Sequence, residues 1–491
     1  MISARPIPRS RSVIRACALA LGLVIANSPA QAQETDLPSI GGAGGGLISG
    51  QMEAEIGRQV MVSIRRSADQ ITDPLVFDYL TAVTYQLVPS APLQERELTL
   101  TLIDSPAINA FAVPGGIVGV NGGLFLNATT EQQFASVMAH ELAHLSQRHF
   151  ARRLEQQEAS TPLTIAGMIA GIVLSAVTQS DVGIAAIAGT QALAVQNMLA
   201  YSRAHEQEAD RVGLEILARS GMDPDGMPEM FEIMMRQNRL QGNQPPEYLS
   251  THPLTQNRVA DARNRATQFP ERKIRDSQEY HLVRSRLQVR YAASADVAVD
   301  TFEAHLDRDE TKRNDAVKYG LAVAYHKNNQ PEKAIAVLEE LLTQQPGRIT
   351  FQVTLAEVLI SQERAQEAVQ LMEDALARNP ENYPIMYTLA EAELAGGNAA
   401  AAAELLKQLT RMLPAQEHLW LRLAEAEGVA RNIVGVHRAR AEYDALMGEL
   451  EAAQRQLRQA QEKLPAGSPQ RQIVTERLAE ITSRLNARRN G

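Results

Sequence analysis

Cysteine is nearly missing from this chain. The only one, Cys17, lies in a stretch that reads as an export signal, so the exported protein carries no thiol and no disulfide. Arg15, two positions before it, is foreign to a lipid-attachment signal. Aromatic side chains are scarce at 4%, and acidic residues outnumber basic ones by 57 to 48. That balance argues against nucleic acid as a partner. Long apolar runs are missing too. The two apolar arms within residues 163–200 are each near or below the roughly twenty residues that a spanning helix needs, so the several spanning helices of a membrane-embedded peptidase are lacking.

Residues 1–32 have the three parts of a cleaved export signal. Arg5, Arg9, Arg11 and Arg15 form a positive start, residues 16–26 are apolar, and Ala30-Gln31-Ala32 is a small-x-small cleavage site. This predicts a periplasmic chain beginning at Gln33, with its formal charge moved from −9 to −13 by the loss of four arginines. Residues 33–49, with the run Gly41 to Gly46, read as a flexible leader, and a first helix is expected around Met52 to Arg66.

Against this plain background stands His140-Glu141-Leu142-Ala143-His144. Residues four apart share one face of a helix, so the two imidazoles can hold one metal ion. Glu141 is then placed to act on metal-bound water as the catalytic base. Thr129 or Thr130 can cap the helix, with Gln132 or Gln133 three residues on, and Phe134, Val137, Met138, Leu142 and Leu145 form its apolar stripe. A catalytic zinc site needs a third protein ligand. Gln147 and Phe150 stand where a metzincin would have glycine and histidine, which excludes that class. His149 lies one position short and reads as structural.

A glutamate from a later helix is the other solution. In His205-Glu206-Gln207-Glu208-Ala209-Asp210, Glu206 and Asp210 share a face. Glu206 is expected to bind the metal and Asp210 to accept a hydrogen bond from a ligand histidine. His205 and Glu208 compete for the ligand role, but Glu206 alone has the acidic partner four residues on.

His140 to His144 with Glu206 to Asp210 resembles the gluzincin metallopeptidases that include the CaaX prenyl-protein proteases and the heat-shock HtpX proteases. Asn109-Ala110-Phe111-Ala112-Val113-Pro114-Gly115-Gly116 is similar to the segment that forms an edge strand beside the cleft in that family. An exposed edge can accept an extended peptide as a further strand. Ser250-Thr251-His252-Pro253 with Arg258 resembles the family's downstream motif. Three roles stay open for His252: a fourth zinc ligand, a stabiliser of the oxyanion, or a helix cap. The resemblance covers roughly residues 45–270 and implies one zinc ion per chain.

The second half repeats itself. Ala322, Ala356, Ala390 and Ala424 are 34 residues apart; so are Ala334, Ala368 and Ala402, and Pro346, Pro380 and Pro414. Small residues in paired helices with a terminal proline are the tetratricopeptide signature. Pro414 to Pro465 and Gly397 to Gly448 are both 51 apart, one repeat plus half a repeat. An extra helix is therefore expected around Leu419–Val429, with pairing resumed near Val434. Tyr280–Leu306 reads as a degenerate first pair.

The expected fold is mainly α (α+β): a zincin-type metallopeptidase domain with a small edge-strand sheet over 50–270, a tetratricopeptide solenoid over 271–465 and a capping helix over 466–491. Residues 163–200 form an apolar insert with two open readings, a pair of buried helices or a hairpin over the cleft or on the membrane surface. Resemblance to the periplasmic, repeat-bearing branch of the family implies a zinc endopeptidase in quality control of outer-membrane β-barrel proteins. Its partners would be misfolded or stalled barrels and the β-barrel assembly machinery. The rival is a chaperone or assembly adaptor with a latent or structural zinc site.

Overall fold

The computed structural model describes residues 49–156, 202–240, 247–270, 276–306 and 314–490. The expected export signal, the expected leader through residue 48 and the apolar insert at 163–200 lie outside them. Among the described residues no helix is long and apolar enough to cross a membrane.

Two helices open the catalytic part, α1 (Gly50–Ser67) and α2 (Pro74–Leu87). Each starts where a side chain meets free backbone N–H groups: Ser49 accepts from Met52, and Asp73 accepts from Leu75 and Val76. Three strands follow, β1 (Thr99–Ile103), β2 (Ala110–Val113) and β3 (Ile117–Asn121). They form one sheet in the order β1-β3-β2, with β3 parallel to β1 and antiparallel to β2. The β2–β3 turn is Pro114-Gly115-Gly116, whose glycines stand at φ 81° and 73°, a region that side chains with a Cβ resist. The β1 edge is covered: Ile71 donates its N–H to Leu102, and Gln416 from the far end of the chain donates to Leu100. β2 is the other edge.

The helices α3 (Gly122–Asn127), α4 (Glu131–Ser146), α5 (His149–Gln156), α6 (Arg203–Ser220), α7 (Gly226–Leu240), α8 (Glu247–Thr251) and α9 (Gln256–Ala266) complete this part. α4 is central, packed by α2, α6, α7 and β2. Scarce as aromatics are, four gather behind it: Phe134 on α4 meets Phe125 at 4.2 Å and Tyr280 at 5.9 Å between ring centroids, and Tyr79 meets Tyr280 at 5.8 Å.

The array comprises α10 (Gln278–Arg290), α11 (Ala295–Leu306), α12 (Asn314–Lys327), α13 (Pro331–Gln344), α14 (Ile349–Ser361), α15 (Ala365–Arg378), α16 (Tyr383–Ala395), α17 (Ala399–Met412), α18 (Glu417–Val429), α19 (Ile433–Leu446), α20 (Leu450–Lys463) and α21 (Pro469–Asn490). The alanine columns are its seams: Ala322, Ala356, Ala390, Ala334, Ala368 and Ala402 are all fully buried. From α12 to α18, turns of three and four residues alternate. Each three-residue turn has a left-handed residue at its centre: Asn329, Glu363 and Gly397, then Arg431 after α18. Beyond Arg431 a second three-residue turn follows at once, centred on Gly448. One helix is therefore added out of step, where the 51-residue spacing places it.

Two features bear on the boundary expected near residue 270. Within Tyr280–Leu306, the expected degenerate first pair, the two helices pack little on each other. α10 packs chiefly on α12, α2 and α3, and the Tyr280 hydroxyl donates to the Phe125 and Ala128 carbonyls. Residue 270 also marks a change of sequence pattern without separating two cores. One apolar cluster runs from Val76, Leu80 and Phe134 to Tyr383, Met386, Ala390, Leu419 and Ala439. Polar contacts reinforce this joint. Arg65 on α1 donates to Glu417 at 2.9 Å and to the Ala415 carbonyl at 2.6 Å, and buried Arg286 ties Asp73 to Glu357.

Candidate metal centre

The cap of α4 is Thr130, whose hydroxyl accepts from Gln133 N–H, while the Gln133 side chain accepts from Thr129. Ten residues on, His140 and His144 turn their Nε2 atoms to one point, 2.9 Å apart. They are only 1% and 2% exposed, more deeply buried than the flank of an amphipathic helix would leave them, because α4 is covered from Gln132 to His144.

α6 carries the third group. Ser202 caps it by accepting from His205 N–H, which sets Glu206 in the first turn. α6 approaches α4 closely at Gly213, where an added Cβ would stand 3.4 Å from the His140 backbone and 3.0 Å from Met227. Glu206 thereby comes 3.6 Å from His140 Nε2 and 3.4 Å from His144 Nε2. Asp210, one turn on, lies 3.0 Å from His140 Nδ1. From the end of α8, His252 places Nδ1 3.1 Å from Glu206 and Nε2 3.7 Å from Glu141. One ligand atom from each of His140, His144, Glu206 and His252 falls within 4.8 Å of the others.

The electrostatics match a cation-binding cradle. Burial opposes the charge of Glu206, but His252, His140 and His144 hold its carboxyl well below the usual range. Burial and two neighbouring imidazoles keep His144 well below its ordinary value. Burial would lower His140 as well, but Asp210 and Glu206 carry it up to about 9. Glu141 is fully buried, and neither carboxylate oxygen has a hydrogen-bond partner among the described residues. A lone buried carboxylate costs several kcal/mol unless something compensates it. Two imidazoles, a carboxylate and this orphaned base fit a zinc ion with a bound water.

Three residues make contacts that the sequence reading does not assign: Arg258, which it places only in the downstream motif, His149, which it reads as structural, and Tyr248, which it does not name. Arg258 on α9 donates twice to Asp210, at 2.8 Å each, and contacts Glu206 at 2.6 Å. Tyr248 stacks on the His252 ring at 4.5 Å. His149 is not on the zinc helix at all: α4 ends at Ser146, Arg148 takes a left-handed φ of 51°, and His149 opens α5. The turn brings its Nδ1 to 2.9 Å from His144 Nδ1. Glu208, the rival third ligand, faces His149 and Arg152 rather than the cluster.

The expected edge segment is β2, next to α4, with Asn109 just before it and Ala110, Phe111 and Ala112 within it. Its side chains are more buried than the sequence suggested, 8% exposed at most, because Phe111 lies over Gly119 of β3. A cleft of about 110 Å³ runs past Ala112 to Gly116, the start of α1, and His144 to Arg148.

A histidine pair on a buried helix, a glutamate from a second helix and an adjoining edge strand define the zincin class of metallopeptidases. Comparison with known proteins agrees. Residues 74–266 match Peptidase family M48, and residues 289–349 and 359–426 match tetratricopeptide repeats. The chain is 35% identical over 339 residues to the beta-barrel assembly-enhancing protease of Escherichia coli, covering 69% of each chain. It is 35% identical over 329 residues to that of Yersinia pestis, covering 67% of each. Over 171 residues it is 32% identical to the mitochondrial metalloendopeptidase OMA1 of Bos taurus, 34% of this chain and 32% of that one. The chain belongs to the beta-barrel assembly-enhancing proteases, M48 metallopeptidases with tetratricopeptide repeats, and zinc is the metal that membership implies. The alignments span about two thirds of these relatives' length.

Proposed function

We propose that this chain is a zinc-dependent endopeptidase of the bacterial periplasm, acting on outer-membrane β-barrel proteins that stall or misfold during assembly. The observation that carries this is Glu141, a buried carboxylate with no hydrogen-bond partner among the described residues, beside the His140, His144 and Glu206 cluster. Zinc held there supplies a Lewis acid that acidifies water and polarises a peptide carbonyl. Glu141 takes the proton from the attacking water and passes it to the leaving amine. Asp210, 3.0 Å from His140 Nδ1, is placed to fix that ring's tautomer, and Arg258 holds Asp210 with two hydrogen bonds. Asn109, Ala110, Phe111 and Ala112 offer backbone groups to an extended substrate. Unpaired strands of an unfinished barrel suit that mode, which has little sequence preference. The repeat array serves as a docking surface for substrate or for the assembly machinery.

His252 favours a latent resting state. Its place in the four-residue cluster supports a fourth ligand, which closes the position a catalytic zinc keeps open. The same observation favours the second reading, an assembly adaptor whose closed zinc site is structural. Metal analysis and casein cleavage by the full chain, with and without chelator, test the enzyme. His252→Ala is expected to raise basal cleavage and self-cleavage. A fall by roughly two to three orders of magnitude assigns His252 to the oxyanion instead. Zinc-loaded protein without cleavage in either form supports the adaptor.

A further inference from the structure

We propose that His149 and Glu208 form a positioning relay for His144, a second anchor that fixes how the site holds its metal. The proposal rests on the zinc-peptidase reading of the site. His144 turns Nε2 inward, toward His140 and Glu206. An imidazole that offers Nε2 as a lone pair carries its proton on Nδ1 and needs an acceptor there. The atom at 2.9 Å from it is His149 Nδ1. That nitrogen accepts only when the His149 proton sits on Nε2, and Nε2 lies 3.1 Å from Glu208 Oε2. Arg152 donates to the same oxygen at 3.0 Å. The plane of His149 is held by stacking on His205, 4.5 Å between centroids at 16°.

The two ligand histidines are thus anchored differently. His140 meets a carboxylate directly, and buried Arg258 clamps that carboxylate with two bonds. His144 meets a neutral ring that passes the charge of Glu208 inward from a rim where Glu208 and Arg152 are 27% and 44% exposed. Glu206, Glu208 and Asp210 all stand on α6, so docking α6 onto α4 sets a ligand and both anchors together. Packing alone would not require both nitrogens of a fully buried histidine to point along one line from a rim carboxylate to the metal-facing ring.

The test compares full-length wild type with His149→Phe and Glu208→Gln. Zinc affinity is read by chelator competition, and melting is followed with and without zinc. His149→Phe is expected to weaken zinc binding about 10- to 100-fold. It should also shrink the zinc-dependent rise in melting temperature, which tracks affinity. Glu208→Gln keeps the shape at a partly exposed position and is expected to move zinc affinity the same way by a smaller factor. Wild-type zinc affinity in both variants, with a lower melting temperature of the metal-free His149→Phe protein, overturns the relay and leaves a packing role. Should His149→Phe fail to fold, unchanged affinity in Glu208→Gln overturns it alone. A wild-type chain that binds no zinc overturns the metal centre itself, a result separable from the others.

Discussion

The metal centre and the repeat array are both built of packed helices, yet they fill their interiors with opposite materials. At the centre, His140, Glu141, His144, Glu206, Asp210, His252 and Arg258 are all 4% exposed or less. At the same depth in the array stand Ala322, Ala356 and Ala390. Charge is tolerated at the centre because, Glu141 apart, each group meets a compensating one, so removing a partner strands another. In the array the alanine seams are apolar and repeat from one unit to the next, so loss there is shared with neighbouring units. The joint between them is mixed: a continuous apolar cluster crossed by Arg65 and Arg286.

The sharpest break should come from Glu141→Gln. It keeps the shape of the side chain but not the base, and casein cleavage is expected to fall about 10²- to 10⁴-fold while zinc content holds. Residual full activity would remove Glu141 from the chemistry. At the joint, Arg286→Leu leaves Asp73 and Glu357 facing each other without their cation. A loss of about 3–5 kcal/mol in urea unfolding is expected, and a loss below about 1 kcal/mol would mean that the array adds little to the catalytic part. Within the array, Ala368→Leu forces a larger side chain into a closed seam and should cost about 1–3 kcal/mol, without changing zinc affinity. Arg66 gives the smallest effect. Its pair with Glu449 is 41% and 58% exposed, and Arg66→Ala should cost under about 1 kcal/mol. Neighbouring Arg65 is 5% exposed and should cost several times more by the same assay. Equal losses would contradict the burial argument.

How much was legible beforehand follows from the range of each interaction. His140, His144, Glu206 and Asp210 read out because helix geometry converts spacing into a shared face, and that geometry holds over one or two turns. The repeats read out because each unit packs on its neighbour. His149 did not, because a left-handed residue at Arg148 stops the zinc helix after Ser146. The polar run Ser146-Gln147-Arg148 was the one sign of that stop. Arg65 and Glu417 are 352 positions apart, and no local pattern marks either as the other's partner. The extra helix at the distal end of the array was readable as a 17-residue offset, whereas the folding of that end back onto α1 and β1 was not.

α1 touches both regions at once. At its first turns Glu53 accepts from Arg148, just past the zinc helix, and Gly57 abuts the Pro114 carbonyl at the β2–β3 turn. At its last turn Arg65 and Arg66 are gripped by the array, at Ala415, Leu446 and Met447. Eighteen residues of helix make a rod about 27 Å long, stiff on the scale of the cleft it borders. The wall of the cleft beside His144 and the distal repeats are thus two ends of one helix, and a substitution on either end is felt by an element the other end touches.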